Sequence, residues 1–83
     1  MKSGDILKSA WEKEEFSAMV LNVKCKGEFD LTINGSRHYH ISHNGTNTER
    51  LGFRMHAESP VVELKSTADG STVKSFKVDY YIL

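Results

Sequence analysis

Apolar and polar residues alternate along most of this chain with a period of two, which is typical of half-buried β-strands. The alternation recurs in six runs, at residues 17–25, 29–33, 37–42, 51–55, 62–64 and 76–82. Turn-forming residues separate most of the runs, namely Asn34-Gly35, Asn44-Gly45, Ser59-Pro60 and Asp69-Gly70. Because such short connections join antiparallel neighbours, the pattern predicts an antiparallel meander of five to six strands.

The first fifteen residues have a different period. An apolar stripe at helical spacing is formed by Ile6, Leu7, Ala10 and Trp11. The stripe predicts a short amphipathic helix over residues 4–15. The whole chain, residues 1–83, is therefore predicted to be a single α+β domain, with one N-terminal helix packed on one face of the antiparallel β-meander. Phe16 and Cys25 lie at apolar positions and are expected in the core with Trp11.

Composition narrows the class of protein. The chain of 83 residues has 11 basic and 11 acidic residues, so no global field attracts nucleic acid or an anionic membrane, and neither is expected as a partner. Cys25 is the only cysteine, which leaves no intrachain disulfide. Neither an apolar signal core nor a run of membrane-spanning length is found. We expect a cytoplasmic protein, of bacterial or phage type.

Three of the four histidines lie between the two Asn-Gly pairs, and hairpin register decides which way they point. Two-residue loops would turn His38 and His40 toward the core. Three-residue loops, ending at Ser36 and Thr46, would pair Leu31 with Tyr39 and place both histidines on the solvated face. We favour the second register because it gathers apolar residues on one face, although Asn-Gly prefers two-residue loops. His43 would then lie in the second turn.

In that register the solvated face carries rows of polar residues. Asp30, His40 and Arg50 form one row, and the same face bears Glu28, His38, Arg54 and His56. One hypothesis is metal-free cleavage of RNA, which needs a base, an acid and a cation beside the phosphate. The base would be Glu28 or Asp30, the acid His40 or His38, and the cation Arg50 or Arg54. A helix followed by such a sheet is similar in outline, by architecture alone, to small microbial ribonucleases.

A metal site is a second hypothesis. His38 and His40 would share one strand face, with His56 or Asp30 completing the ligand set. The chain offers no third ligand at a diagnostic spacing and no cysteine pair, so we expect neither a metal nor a cofactor.

The favoured hypothesis is a non-enzymatic protein-binding module, such as an adaptor, inhibitor or immunity-type protein. Small size, neutral charge and the lack of a phosphate loop or nucleophile motif favour it. It would act through the polar and aromatic sheet face or through an edge strand. The expected anchors are Tyr39, His40, Arg50, Arg54 and Tyr81. The last run is apolar on both sides near its end, which also indicates a homodimer through the C-terminal strand.

Overall fold

The computed structural model describes residues 1–9 and 15–83, and every regular element among them is a β-strand. The strands are β1 (Ile6–Lys8), β2 (Glu15–Ile33), β3 (Ser36–Glu58), β4 (Val62–Ser66) and β5 (Thr72–Ile82). They form one sheet in which every pairing is antiparallel. The described part of the chain contains no helix that would span a membrane. The domain is all-β, and the α+β prediction is wrong.

In the segment predicted to be the N-terminal helix, the chain instead forms a strand at the edge of the sheet. β1 pairs with β4, and its flanks are bonded too: the amide of Ser9 donates to the carbonyl of Val62 at 3.0 Å. Glu15 already belongs to β2. A helix this short is marginal in water, whereas the open edge of β4 offers backbone hydrogen bonds at once. Ala10 and Trp11 lie outside the described residues, and so does the core position predicted for Trp11.

β2 is the centre of the sheet, and this arrangement replaces the predicted meander. β3 follows one edge of β2 along its whole length. The other edge is shared: β5 pairs with residues 18–26 of β2, and β4 pairs with residues 29–33. β1 lies outside β4. Strands distant in sequence therefore become neighbours, which an alternating pattern alone does not specify.

The long β2–β3 hairpin bends at one bulge. Cys25 pairs with Asn47, and Gly27 pairs with His43. One residue separates the two positions on β2, whereas three residues, 44–46, separate their partners on β3. An unequal count of this kind kinks a strand and increases its twist. The predicted turn at Asn44-Gly45 is therefore wrong, because β3 continues through it as a bulged corner.

Both halves of the bent hairpin cover one hydrophobic core. The inward positions of β2 are fully or almost fully buried: Phe16, Met19, Leu21, Val23, Cys25, Phe29, Leu31 and Ile33. This confirms the core positions predicted for Phe16 and Cys25. The two halves of β3 also meet, since the Tyr39 hydroxyl donates a hydrogen bond to the Gly52 carbonyl. The inward face of the sheet forms the hydrophobic core, so the search for a functional site concerns the outward face.

Candidate binding site

The first hairpin turn has two residues. Ile33 lies opposite Ser36, and both loop residues have positive φ, 52° for Asn34 and 84° for Gly35. Positive φ at both central positions is the reason Asn-Gly is preferred in two-residue hairpin loops. The three-residue loop predicted from the apolar pattern is therefore wrong at this position.

A second bulge nevertheless restores the predicted register. Thr32 pairs with Arg37, and the next pair is Leu31 with Tyr39, so His38 is the extra residue. From there on, Asp30 lies opposite His40 as predicted. One inserted residue thus satisfies both the turn chemistry and the apolar alternation.

The register builds a polar group on the outer face, which we call the carboxylate–histidine cluster: Glu28, Asp30, Arg37 and His40. His40 Nδ1 lies 2.8 Å from Asp30 Oδ1, and His40 Nε2 lies 3.7 Å from Glu28 Oε1. Arg37 approaches the same Asp30 oxygen at 4.0 Å. Asp30 therefore contacts one nitrogen of the imidazole, and Glu28 lies near the other nitrogen.

The remaining predicted site residues lie elsewhere. His38 is exposed at the bulge, with its ring centroid 6.3 Å from that of Phe53. Because β3 does not turn at Asn44-Gly45, Arg50 lies opposite Asn22 in the first half of the hairpin and reaches Asp79 Oδ2 at 3.2 Å. The predicted row of Asp30, His40 and Arg50 is wrong in its third member. Arg54 and His56 also belong to that half.

The outer face of the first half carries an open depression with both polar and apolar lining, which we call the Gly52 groove. It has a volume of about 540 Å³ and is lined by Ala18, Met19, Val20, Gly52, Phe53, Arg54, Tyr80 and Ile82. Val20 lies between Gly52 on β3 and Tyr80 on β5. Because Gly52 has no side chain, the aliphatic surface of Val20 is uncovered on that side. The volume is in the range of ordinary ligand pockets.

Exposed apolar residues are concentrated beside this groove. Among the described residues six large hydrophobic side chains are exposed, and four of them are consecutive, residues 80–83. Tyr80 is 54% exposed and Ile82 is 48% exposed, although both line the groove. Tyr81 lies opposite the buried Met19, on the other face of the strand, so the exposed apolar side chains beside the groove are Tyr80 and Ile82. Exposed apolar groups of this kind are candidates for an interaction site.

One cation stands at the rim of the groove. Arg54 is exposed and forms no ion pair with any residue of the described ranges, whereas Arg50 on the same strand is bound to Asp79. The groove therefore combines an apolar floor with one guanidinium that is available to a ligand. Guanidinium groups recognise carboxylates in bidentate geometry.

The sequence interpretation placed His43 in a turn at Asn44-Gly45 and therefore missed its contact with Glu49. His43 lies in β3 opposite Gly27, and its Nε2 is 2.6 Å from Glu49 Oε2 across the bulged corner.

Burial, and to a smaller extent the charge of Glu49, raises the pKa of the Cys25 thiol. The thiol is therefore protonated at neutral pH and is not an activated nucleophile.

Of the predicted anchors, Arg54 alone lines the groove. Tyr39 is half-buried by its bond to Gly52, His40 is held in the carboxylate–histidine cluster, and Tyr81 lies opposite Met19. Comparisons of the chain with protein-family models, with curated proteins and with solved structures found no match.

Proposed function

We propose that this protein is a non-enzymatic protein-binding module whose Gly52 groove receives an apolar side chain of a protein partner. The observation that supports the proposal is the pair of exposed apolar side chains, Tyr80 and Ile82, that line a groove of about 540 Å³, which is large enough to admit a side chain. Aromatic and arginine residues around a desolvated pocket are the usual anchors of protein interfaces. An adaptor, inhibitor or immunity-type protein would act in this way.

Charge specifies the occupant further. Since Arg54 lines the groove and lacks an acidic neighbour among the described residues, the partner segment would carry a carboxylate beside its apolar residue. We therefore propose an acidic–apolar peptide segment as the ligand. The proposed location is the cytoplasm, because the only cysteine, Cys25, is buried and unpaired.

The outer edge of β5, which pairs with no second strand among the described residues, is the less favourable route to a partner. Register shifts interrupt its pairing with β2 at Lys74 and at Asp79, and Lys77 lies between them. Bulges and lysines are features that protect an edge strand from pairing with another chain. A homodimer through β5 would have to overcome both, so the outer face is the preferred interface.

The test is selection of peptides from a displayed random library with the purified full chain. We expect the selected peptides to pair an aliphatic or aromatic residue with Asp or Glu. Gly52→Val should abolish binding by filling the groove: Gly52 lacks a positive φ, and a Cβ there meets Val20 Cγ2 at an ordinary 3.7 Å. Arg54→Glu should remove the acidic preference.

Lys77→Glu is the matched control, since it changes a charge of the same sheet face outside the groove lining. Its binding should equal that of the wild type. Binding that survives in Gly52→Val, while that variant unfolds at the wild-type temperature, would exclude the groove as the interface.

A second candidate function is phosphodiester cleavage, and one observation favours it. The imidazole of His40 stands between two carboxylates, Asp30 on Nδ1 and Glu28 beyond Nε2, an arrangement suited to proton transfer. Arg37 is the nearby cation, not Arg50 or Arg54 as predicted. We expect no cleavage of labelled RNA in EDTA. Cleavage lost in His40→Ala but retained in His38→Ala would replace the binding proposal.

A further inference from the structure

A third histidine group lies where the β2–β3 hairpin opens. Glu15 and Glu58 face each other directly across the two strands, and His56 is two residues from Glu58 on β3. His56 Nε2 is 3.9 Å from Glu15 Oε2 and 3.8 Å from Glu58 Oε1. The ligand atoms of all three residues lie within 4.8 Å of one another. Three metal-ligating side chains thus converge on one point.

The convergence is not explained by hydrogen bonding. Both histidine–carboxylate distances exceed hydrogen-bond length. Two carboxylates placed directly opposite each other in a β-ladder also repel, and a cation beside them relieves the repulsion. That cation is either a protonated His56 or a metal ion shared by the three side chains, and a metal ion would use all three as ligands.

The other two histidine groups differ in the way that matters for a metal. In the carboxylate–histidine cluster, Asp30 approaches Nδ1 of His40 and Glu28 approaches Nε2, so one ion cannot contact all three. His43 contacts a single carboxylate. In the group at His56 both carboxylates approach the same nitrogen, as ligands of one ion do.

The distances fit one bound ion. For bonds of about 2.1 Å in tetrahedral geometry, two ligand atoms are about 3.4 Å apart. The observed separations from His56 are 3.8 and 3.9 Å, and all three side chains are exposed, so small torsional changes would close the site. One imidazole nitrogen with two carboxylate oxygens suits Zn²⁺ and its neighbours in the first transition row.

We propose that Glu15, His56 and Glu58 bind a divalent transition-metal ion of the Zn²⁺ class, with water in the remaining position. The ion clamps the first residue of β2 to the end of β3, next to the irregular pairing between Phe16 and Ala18. The site is independent of the Gly52 groove, whose lining includes none of the three ligands.

The test is calorimetric titration of the EDTA-treated full chain with ZnCl₂, together with thermal unfolding. We expect Zn²⁺ to raise the unfolding temperature of the wild type. Glu15→Gln and His56→Gln should each weaken Zn²⁺ binding by about tenfold or more. Substituting a residue that only hydrogen-bonds to a metal ligand already weakens metal binding by about that factor. Replacing Zn²⁺ by Co²⁺ should produce visible absorption bands that the same variants lack.

Glu15→Gln also has an internal check on folding. In EDTA Glu15→Gln should unfold at or slightly above the wild-type temperature, because it removes the carboxylate repulsion. With Zn²⁺ the order should reverse. His38→Gln is the matched control: His38 is exposed and is not one of the three ligands, so this variant should bind Zn²⁺ like the wild type.

Three outcomes would overturn the proposal. The first is a wild-type unfolding temperature that Zn²⁺ does not raise. The second is Zn²⁺ binding that persists in both Glu15→Gln and His56→Gln. The third is Ca²⁺ binding as tight as that of Zn²⁺, which would indicate a carboxylate site without a role for the imidazole.

Discussion

The two halves of the β2–β3 hairpin share one core, but their outer faces differ in chemical character: the first includes an apolar groove floor and the second is charged. In the first half Ala18 and Val20 point outward and form the floor of the Gly52 groove. In the second half the equivalent outward positions are Glu28 and Asp30, which hold His40. Because inward positions are buried alike in both halves, folding does not require this difference. The outer faces, which differ although the core is shared, are therefore the surfaces on which the proposed binding function can be tested.

The strongest test of the shared core is a matched pair of cavity substitutions. Leu21 lies in the first half and Leu31 in the second, and both are 0% exposed. Leu21→Ala and Leu31→Ala should each lower the free energy of unfolding by about 2–5 kcal/mol. Urea denaturation followed by circular dichroism measures this loss.

Both variants should also unfold in a single transition, because the two halves are expected to be one cooperative unit. If Leu31→Ala instead produced a second, earlier transition that Leu21→Ala lacked, the halves would be separate units. The comparison of their outer faces would then be a comparison of two subdomains.

The next effect concerns the corner between the halves. Gly27 has φ 109°, and a Cβ there would lie 2.8 Å from Ser71 Cα, which is backbone and cannot move aside. Gly27→Ala should therefore cost about 2 kcal/mol or more through strain and overpacking. Gly45→Ala is the control, since a Cβ at Gly45 meets nothing within 4 Å. Equal stability of the two variants in thermal unfolding would show that the corner is not constrained at Gly27.

How far the sequence predicts this molecule is clearest at the same corner. The period-two alternation predicted the outward Glu28 and Asp30 and the pairing of Asp30 with His40, because burial of one face enforces register. Asn34-Gly35 and Asn44-Gly45 have the same local chemistry, yet the first is a turn and the second a bulge. β5 and β4 pair with different halves of β2, on either side of this corner, and no local pattern contains that information.

The groove was missed for the same reason. Val20 and Tyr80 are neighbours only because β5 pairs with the first half of β2, sixty residues earlier in the chain. The sequence predicted Arg54 as an anchor but placed it in a row with residues of the second half. The N-terminal helix failed differently, because a short apolar stripe is a weak signal beside the open edge of a strand.

A smaller effect is expected from Cys25, which lies at the end of the first half. Its pKa in the folded protein is raised above the ordinary 9.0, so the folded state holds the proton longer than the unfolded chain. Stability from this group is complete below pH 9.0 and is lost as pH rises above it. Cys25→Ala should cost about 1 kcal/mol at neutral pH through lost packing.

The cost of Cys25→Ala should shrink above pH 9.0, because the variant has no thiol to ionise. Urea denaturation of both proteins across the alkaline range measures the difference. Since Glu49 also raises the pKa of the thiol, Glu49→Gln should weaken the alkaline loss. A cost of Cys25→Ala that is constant with pH would mean that the thiol ionises equally in the folded and unfolded chain.

The smallest effect compares one surface ion pair from each half. Asp30→Asn weakens the contact with His40, and Asp79→Asn weakens the contact with Arg50. The side chain of Asp30 is 22% exposed and that of Asp79 is 36% exposed, so solvent screens both pairs. Each substitution should cost about 0.2–1 kcal/mol and less at high salt. A loss of several kcal/mol for Asp30→Asn alone would make the carboxylate–histidine cluster part of the folding core, and the outer face of the second half would then be structural.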